Sequence, residues 1–199
     1  MTKHLPQDER RQQILTAARR CFVQRGYAHT RVDDIAAEAG LSKGGIYFHF
    51  SSKREIFDAL LAGQLDINLA LLEEVSQTSA PLTEKLRTLA QSLLDRFAGL
   101  EDQGKFLTVI AEMGLREDDV HATFVRQHEQ YVDALTKLIE GGVASGEIRE
   151  VASPRATALY LKMLVDGFEQ AVTIGYDIDV DKFVRNGMEL LFYGLRSRD

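Results

Sequence analysis

Cysteine is almost missing from this 199-residue chain: Cys21 stands alone, so no disulfide can close within it. A lone thiol suits a reducing, cytoplasmic setting. Cys21 falls in an apolar helical pattern, where a free cysteine packs as a small hydrophobe. Proline is scarce too. Pro6, Pro81 and Pro154 each stand just before an apolar-periodic run, where a first helical turn tolerates the missing N–H. No run of about 20 apolar residues occurs, which excludes a membrane-spanning helix. The most apolar stretch, Ala59 to Leu72, is broken by Gln64, Asp66 and Asn68. Residues 1–13 are polar and charged, so no secretory leader is expected. Sustained strand alternation with hairpin turns is also lacking, which leaves an all-α fold.

Helical spacing is present nearly everywhere and predicts about nine helices. The first spans about Pro6 to Arg25, with Ile14, Leu15, Ala18, Cys21 and Phe22 on one face and Gly26 as its stop. Thr30-Arg31-Val32-Asp33 has the form of a capping box, so Thr30 is expected to start a short helix that Gly40 ends. Ser42 is expected to cap a third helix, Lys43 to about His49. A second capping box, Ser52 to Glu55, opens a long helix to about Val75. Further helices are expected over about 81–97, 106–113, 118–143, 154–174 and 180–195. The architecture implied is a three-helix head, residues 1–51, on a larger helical body, residues 52–199.

Net charge is −6, which taken alone disfavours nucleic acid. Its distribution points the other way. Residues 1–54 carry ten Lys/Arg against five Asp/Glu, and the rest carry fourteen against twenty-five. A basic head on an acidic body is an electrostatic footprint for a polyanion.

Two short helices joined by Gly40-Leu41-Ser42 form a helix-turn-helix, whose second helix enters a major groove. That second helix, Lys43-Gly44-Gly45-Ile46-Tyr47-Phe48-His49-Phe50, is a poor helix by propensity, since each glycine costs about 1 kcal/mol relative to alanine. A surface that must approach another backbone closely favours such glycines. Lys43, Tyr47 and His49 lie off the Ile46/Phe50 core face and offer donors to phosphates and base edges. A solvent-exposed helical hairpin with incidental glycines would read the same way.

The stretch Thr30 to Phe50, followed by Ser52-Lys53, closely resembles the DNA-binding signature of the TetR/AcrR family. The resemblance is strong over residues 10–60. Beyond them it rests on helix count, length and the Gly146-Glu147-Ile148-Arg149…Pro154 stretch. It implies a homodimeric, sequence-specific transcriptional regulator, a repressor released from a palindromic operator by a small effector. The chain is expected to occupy that operator as one dimer or as a pair of dimers. It implies that Thr30 caps the second helix and touches a phosphate, with Arg31 beside it. Ser42, Lys43, Gly44 and Gly45 open the recognition helix, while Tyr47, His49 and Lys53 grip phosphates or bases. The resemblance also assigns dimerisation to the helices at about 154–174 and 180–195. Both are apolar beyond a narrow stripe, and Gly167 and Gly187 suit close helix approach.

Such regulators usually hold a ligand in the body. Phe97, Phe106, Met113, Phe124, His128, Tyr131, Tyr160 and Met163 are the expected wall residues, for a small, largely apolar effector. His128 reads equally well as a structural histidine of the core. The acidic body favours a neutral or cationic ligand unless a local basic pocket overrules net charge. No cofactor or metal is expected. The histidines, at 4, 29, 49, 121 and 128, have no metal-ligand spacing with Cys21, and no zinc-protease, nucleophile-elbow, phosphate-loop or dinucleotide motif occurs. The chain is therefore not expected to be an enzyme. The remaining alternative is a DNA-binding regulator without a small inducer, controlled by a protein partner or acting as an activator.

Overall fold

The computed structural model describes the backbone of residues 6–99 and 101–195. Side chains are described there except at 64–67, 93–99, 101–104, 180, 181, 192, 194 and 195. The described residues form nine α-helices and no strand. In chain order they are α1 (Gln7–His29), α2 (Val32–Ala39), α3 (Lys43–Tyr47), α4 (Lys53–Ser76), α5 (Leu82–Gly99), α6 (Glu101–Gly114), α7 (Asp118–Ala144), α8 (Pro154–Thr173) and α9 (Val180–Leu195). None of the helices searched among the described residues is long and apolar enough to cross a membrane.

Local chemistry explains the head's boundaries. The regular part of α1 stops at Gly26, whose φ of 76° and ψ of 158° leave the helical region before one last turn to His29. Gly40 ends α2 in the left-handed conformation, φ 65° and ψ 33°, and donates its N–H back to Ala36 and Ala37. Ser42 caps α3 by accepting the Gly45 N–H at 3.1 Å. Ser52 accepts the Glu55 N–H at 3.1 Å at the start of α4, but the Glu55 carboxylate reaches back to Ser51 rather than to Ser52. The expected cap at Thr30 is a correction. α2 begins one residue later, and the reciprocal bond is made by Asp34, which accepts the Arg31 N–H at 2.8 Å. Thr30 is fully buried and its hydroxyl turns into α1, toward the carbonyls of Gly26 at 2.8 Å and Cys21 at 3.1 Å.

The chain divides into two compact units, one of residues 1–65 with 105–121, the other of residues 66–104 with 122–199. The N-terminal unit thus extends past residue 51, the expected boundary, and gains a second stretch of chain. The reason lies in α6. Phe106, Val109, Ile110 and Met113 recur at helical spacing and are all buried. Phe106 stacks on Phe22 of α1 (centroids 6.5 Å apart) and meets Phe57 of α4 edge-on (5.9 Å). Cys21 is buried in this core as expected, and burial pushes its thiol up from the ordinary value. Arg54 of α4 adds an exposed tie to the end of the same stretch, with Asp119 at 2.5 Å and Glu117 at 3.8 Å.

The C-terminal unit has its own core. Leu72, Val75, Leu82, Leu86 and Leu89 meet Val132, Leu135, Leu138 and Ile139, with Ile148 and Ala158 closing it. Leu82 packs so tightly on Gly142 that a Cβ there would lie 2.4 Å from its Cδ2.

Candidate nucleic-acid interface

Helix α1 holds the helix-turn-helix by its carbonyl ends. Gln13 Nε2 donates to Ala39 O, the last residue of α2, at 2.7 Å. Arg11 Nη1 donates to His49 O, just beyond α3, at 2.7 Å, while its guanidinium lies 4.1 Å over the Phe50 ring. Ile46 and Phe50 point inward and are almost fully buried. Geometry then fixes the outer surface of α3. Gly44, Tyr47 and Phe48, at i, i+3 and i+4, share one face, and all are exposed.

Neither glycine of α3 is required by the fold. Neither has a positive φ. A Cβ on Gly44 would meet no atom closer than 3.9 Å, and one on Gly45 would find Ser42 Oγ at 3.5 Å and Leu41 Cβ at 3.7 Å. Alanine would fit at both positions and favour the helix by about 1 kcal/mol at each. The bare surface therefore has no explanation within this chain.

The expected contact residues separate into two sets. Arg31, Ser42, Lys43, Gly44 and Tyr47 are exposed around the turn and α3, and Gly45 and His49 are half-buried beside them. Lys43 pairs with Asp33 at 2.9 Å, an exposed contact that raises its pKa through the hydrogen bond and the charge of Asp33. Such a pair is weakly held and can be exchanged for another anion. Thr30 and Lys53 face inward instead. Lys53 Nζ donates to Tyr27 O at 2.7 Å and Thr30 O at 2.8 Å and lies 4.2 Å over the Tyr27 ring. Desolvation lowers its pKa. Lysine at that place ties α4 to the turn between α1 and α2, because its long stem reaches the Thr30 carbonyl and adds a second donor to the Tyr27 carbonyl, which also accepts the Thr30 N–H at 3.3 Å. His49 Nδ1 is enclosed without a hydrogen-bond partner, and its ring meets Phe48 edge-on at 5.0 Å. Phe48, 80% exposed, was not among the expected residues. An apolar residue at the end of a core-forming run reads as core, so only the structure shows that it points outward.

The C-terminal unit holds a groove of about 890 Å³ between α5, α7, α8 and α9. Of the expected wall residues, Tyr131 and Tyr160 line it. Phe106 and Met113 do not, because they belong to the core of the N-terminal unit. The Phe97 side chain lies outside the described residues. Phe124, His128 and Met163 do not line the groove. His128 instead bonds Asp166 on α8, Nε2 to Oδ2 at 3.2 Å, and packs beside Phe124 at 5.6 Å between ring centroids. Asp166 also pairs with Lys162. Burial pushes the Asp166 pKa up, but the bond from His128 and the charge of Lys162 outweigh it and hold it below the ordinary carboxylate value. Leu86, Leu89, Leu161, Val165 and Phe168 supply much of the lining, and Arg149 and Lys162 are its charged residues.

Known proteins resemble both units. Residues 14–60 match the family model described as bacterial regulatory proteins, tetR family, and residues 79–168 match a tetracyclin repressor-like C-terminal domain. The transcriptional activator FasR of Mycolicibacterium smegmatis is 33% identical over 150 residues, which cover 74% of this chain and 68% of FasR. Two solved structures share the fold. One, from Saccharomonospora viridis in complex with choline, has a TM-score of 0.80 at 24% identity, covering 96% of this chain and 100% of that one. The other, FadR of Bacillus subtilis in complex with stearoyl-CoA, has a TM-score of 0.70 at 24% identity, covering 90% and 96%.

Proposed function

Because this chain belongs to the tetR family of bacterial regulatory proteins, we propose that it is a cytoplasmic repressor whose paired heads read an inverted-repeat operator and which an amphiphilic effector releases. The family binds DNA to regulate transcription. The bare outer face of α3 carries the reading for this chain. Two glycines that the fold does not need leave room for a DNA backbone or base edge to come close. Lys43 and Tyr47 on α3, and Arg31 at the start of α2, are exposed donors for phosphates and bases. The test is a Gly44→Leu protein titrated against a duplex selected from a random pool by the parent. Binding at least tenfold weaker, with the stability of the head kept, is expected. Equal affinity would remove the close-approach argument.

Dimerisation is proposed through α8 and α9. Both present large apolar side chains to solvent; Met163 and Tyr193 lie outside the groove and are each at least 60% exposed, and Tyr160 and Leu190 are exposed at its edge. A Cβ on Gly167 would meet no atom within 4 Å among the described residues, which leaves room for a partner helix. A monomer seldom leaves so much apolar surface bare.

The groove supports an effector with a long apolar part and an anionic end. Its described lining is mostly apolar, no carboxylate belongs to it, and its charged members are the cations Arg149 and Lys162, the latter paired with Asp166 just outside. This local chemistry outweighs the acidic net charge of the body. FadR bound to stearoyl-CoA favours the same reading, whereas the choline complex favours a cation. Stearoyl-CoA and choline should therefore be compared by calorimetry, with and without saturating operator. The proposal expects stearoyl-CoA to bind and operator DNA to weaken it by about 5- to 150-fold, since coupling is reciprocal. FasR, named an activator, favours a second outcome in which the bound protein raises transcription. A promoter-driven transcription assay with added protein separates the two by sign.

A further inference from the structure

Within residues 6–65, two large apolar side chains are strongly exposed among those described, Tyr47 at 47% and Phe48 at 80%, and they are neighbours. Tyr47 carries a hydroxyl that water satisfies. Phe48 carries nothing of the kind. Its backbone continues the helical path of α3, with φ −66° and ψ −29°, and its N–H bonds Gly44 O at 3.0 Å. The benzyl group is therefore held on the same face as Gly44 and Tyr47. His49 touches the ring from one side only. The hydrogen-bonding inventory of that face is short. α3 and the residue after it contain no Arg, Asn or Gln to pair with a base edge in two-point fashion, and Lys43, the one such candidate, is paired with Asp33 at 2.9 Å. A helix reading sequence through this face has an aromatic ring as its most prominent feature. The major groove offers one apolar group for such a ring, the C5-methyl of thymine.

We propose that Phe48 is a specificity-determining residue that reads a thymine methyl in each operator half-site. The inference rests on the DNA-reading role of α3 and deepens it by naming the chemical group recognised. Lys43 and Tyr47 then position the helix, and the preference for a thymine at one place comes from apolar contact. Burying one methyl is worth roughly a fourfold change in affinity, so an inverted repeat loses the product over its two halves.

The experiment uses the full-length protein and a duplex selected from a random pool. Each thymine of the half-site is replaced in turn by deoxyuridine, which deletes only the methyl. Affinities are measured for the parent, Phe48→Ala and Phe48→Leu, with helicity and urea stability checked for each. The expected result is one position per half-site where methyl loss weakens the parent roughly three- to fivefold per half-site. There the Phe48→Ala protein is already weak and indifferent to the methyl, and Phe48→Leu keeps part of the sensitivity. The inference is overturned if no position responds to methyl loss in the parent, or if Phe48→Ala remains as methyl-sensitive as the parent. A Phe48→Ala protein that weakens equally on random and selected duplex also overturns it, since the ring would then touch the sugar-phosphate backbone. If selection enriches no sequence at all, the DNA-reading role of α3 fails first, which separates the two failures.

Discussion

The two units of this chain treat apolar residues in opposite ways. In the N-terminal unit the rings of Phe22, Phe57 and Phe106 are sealed inside, and the working face of α3 is a small clearing made by two glycines and bordered by Tyr47 and Phe48. In the C-terminal unit α8, α9 and their connection leave Tyr160, Met163, Ile174, Tyr176, Leu190 and Tyr193 more than half exposed. Among described residues the first unit leaves three large apolar side chains bare, Tyr47, Phe48 and Leu115, while the second leaves many, a surface suited to an apolar partner. The glycines repeat the contrast. Gly44 has room for a side chain that the sequence withholds, while Gly142 has none because Leu82 fills it.

That contrast breaks most visibly at the bare strip. Met163→Glu with Tyr193→Glu should yield a monomer in sedimentation velocity and weaken operator binding at least a hundredfold, because each chain then reads one half-site alone. A dimer that survives both charges would place the interface elsewhere. Gly142→Ala sharpens the glycine comparison. It should lower unfolding stability by about 1–3 kcal/mol through overpacking and leave the operator affinity of the folded protein unchanged, opposite to the outcome expected at Gly44. Urea titration and operator titration on the same preparations decide it.

Lys53 tests whether the N-terminal unit is braced from within. Replacing it by Met takes the donor from the Thr30 carbonyl and one of two donors from the Tyr27 carbonyl, and should cost about 1–3 kcal/mol of stability. The salt dependence of DNA binding should stay as in the parent. A slope reduced by about one would show that Lys53 reaches a phosphate after all. The smallest effect expected is on acid sensitivity. Asp166 has a depressed pKa in the folded protein, so its contribution is present above the ordinary carboxylate range and is lost as pH falls through it, below about pH 4. Asp166→Asn should flatten the acid limb of the stability curve of the C-terminal unit slightly, whereas an unchanged limb would show that His128 and Lys162 hold it no better than water does.

Much of the head could be read from sequence because its signals are local. Gly26, Gly40 and Ser42 each act within four residues, and the structure places a stop, a left-handed cap and an N-cap at them. The errors fall where a side chain acts over a longer distance. Thr30 had a capping pattern, but burial against α1 offered its hydroxyl the Gly26 and Cys21 carbonyls instead. Lys53 reads as a surface cation because spacing cannot show that the Tyr27 and Thr30 carbonyls lie within reach of its stem. Phe106 and Met113 were correctly apolar and helical, yet periodicity reveals only that a face is buried, not which unit buries it. The groove suffered most from this limit. Its walls come from four helices far apart in sequence, and of the expected residues whose side chains are described, Tyr131 and Tyr160 line it.

The central claim is that two copies of this chain, joined by their apolar strips, read one inverted repeat through α3. Its most direct test is the mass of the complex that the full-length protein forms on a duplex selected from a random pool, read by sedimentation at physiological salt. The account predicts an enriched inverted repeat carrying two chains, or four as a pair of dimers, and binding at least a hundredfold weaker to an unselected duplex of equal length. A single chain on the duplex, or equal affinity for selected and unselected DNA, would contradict it.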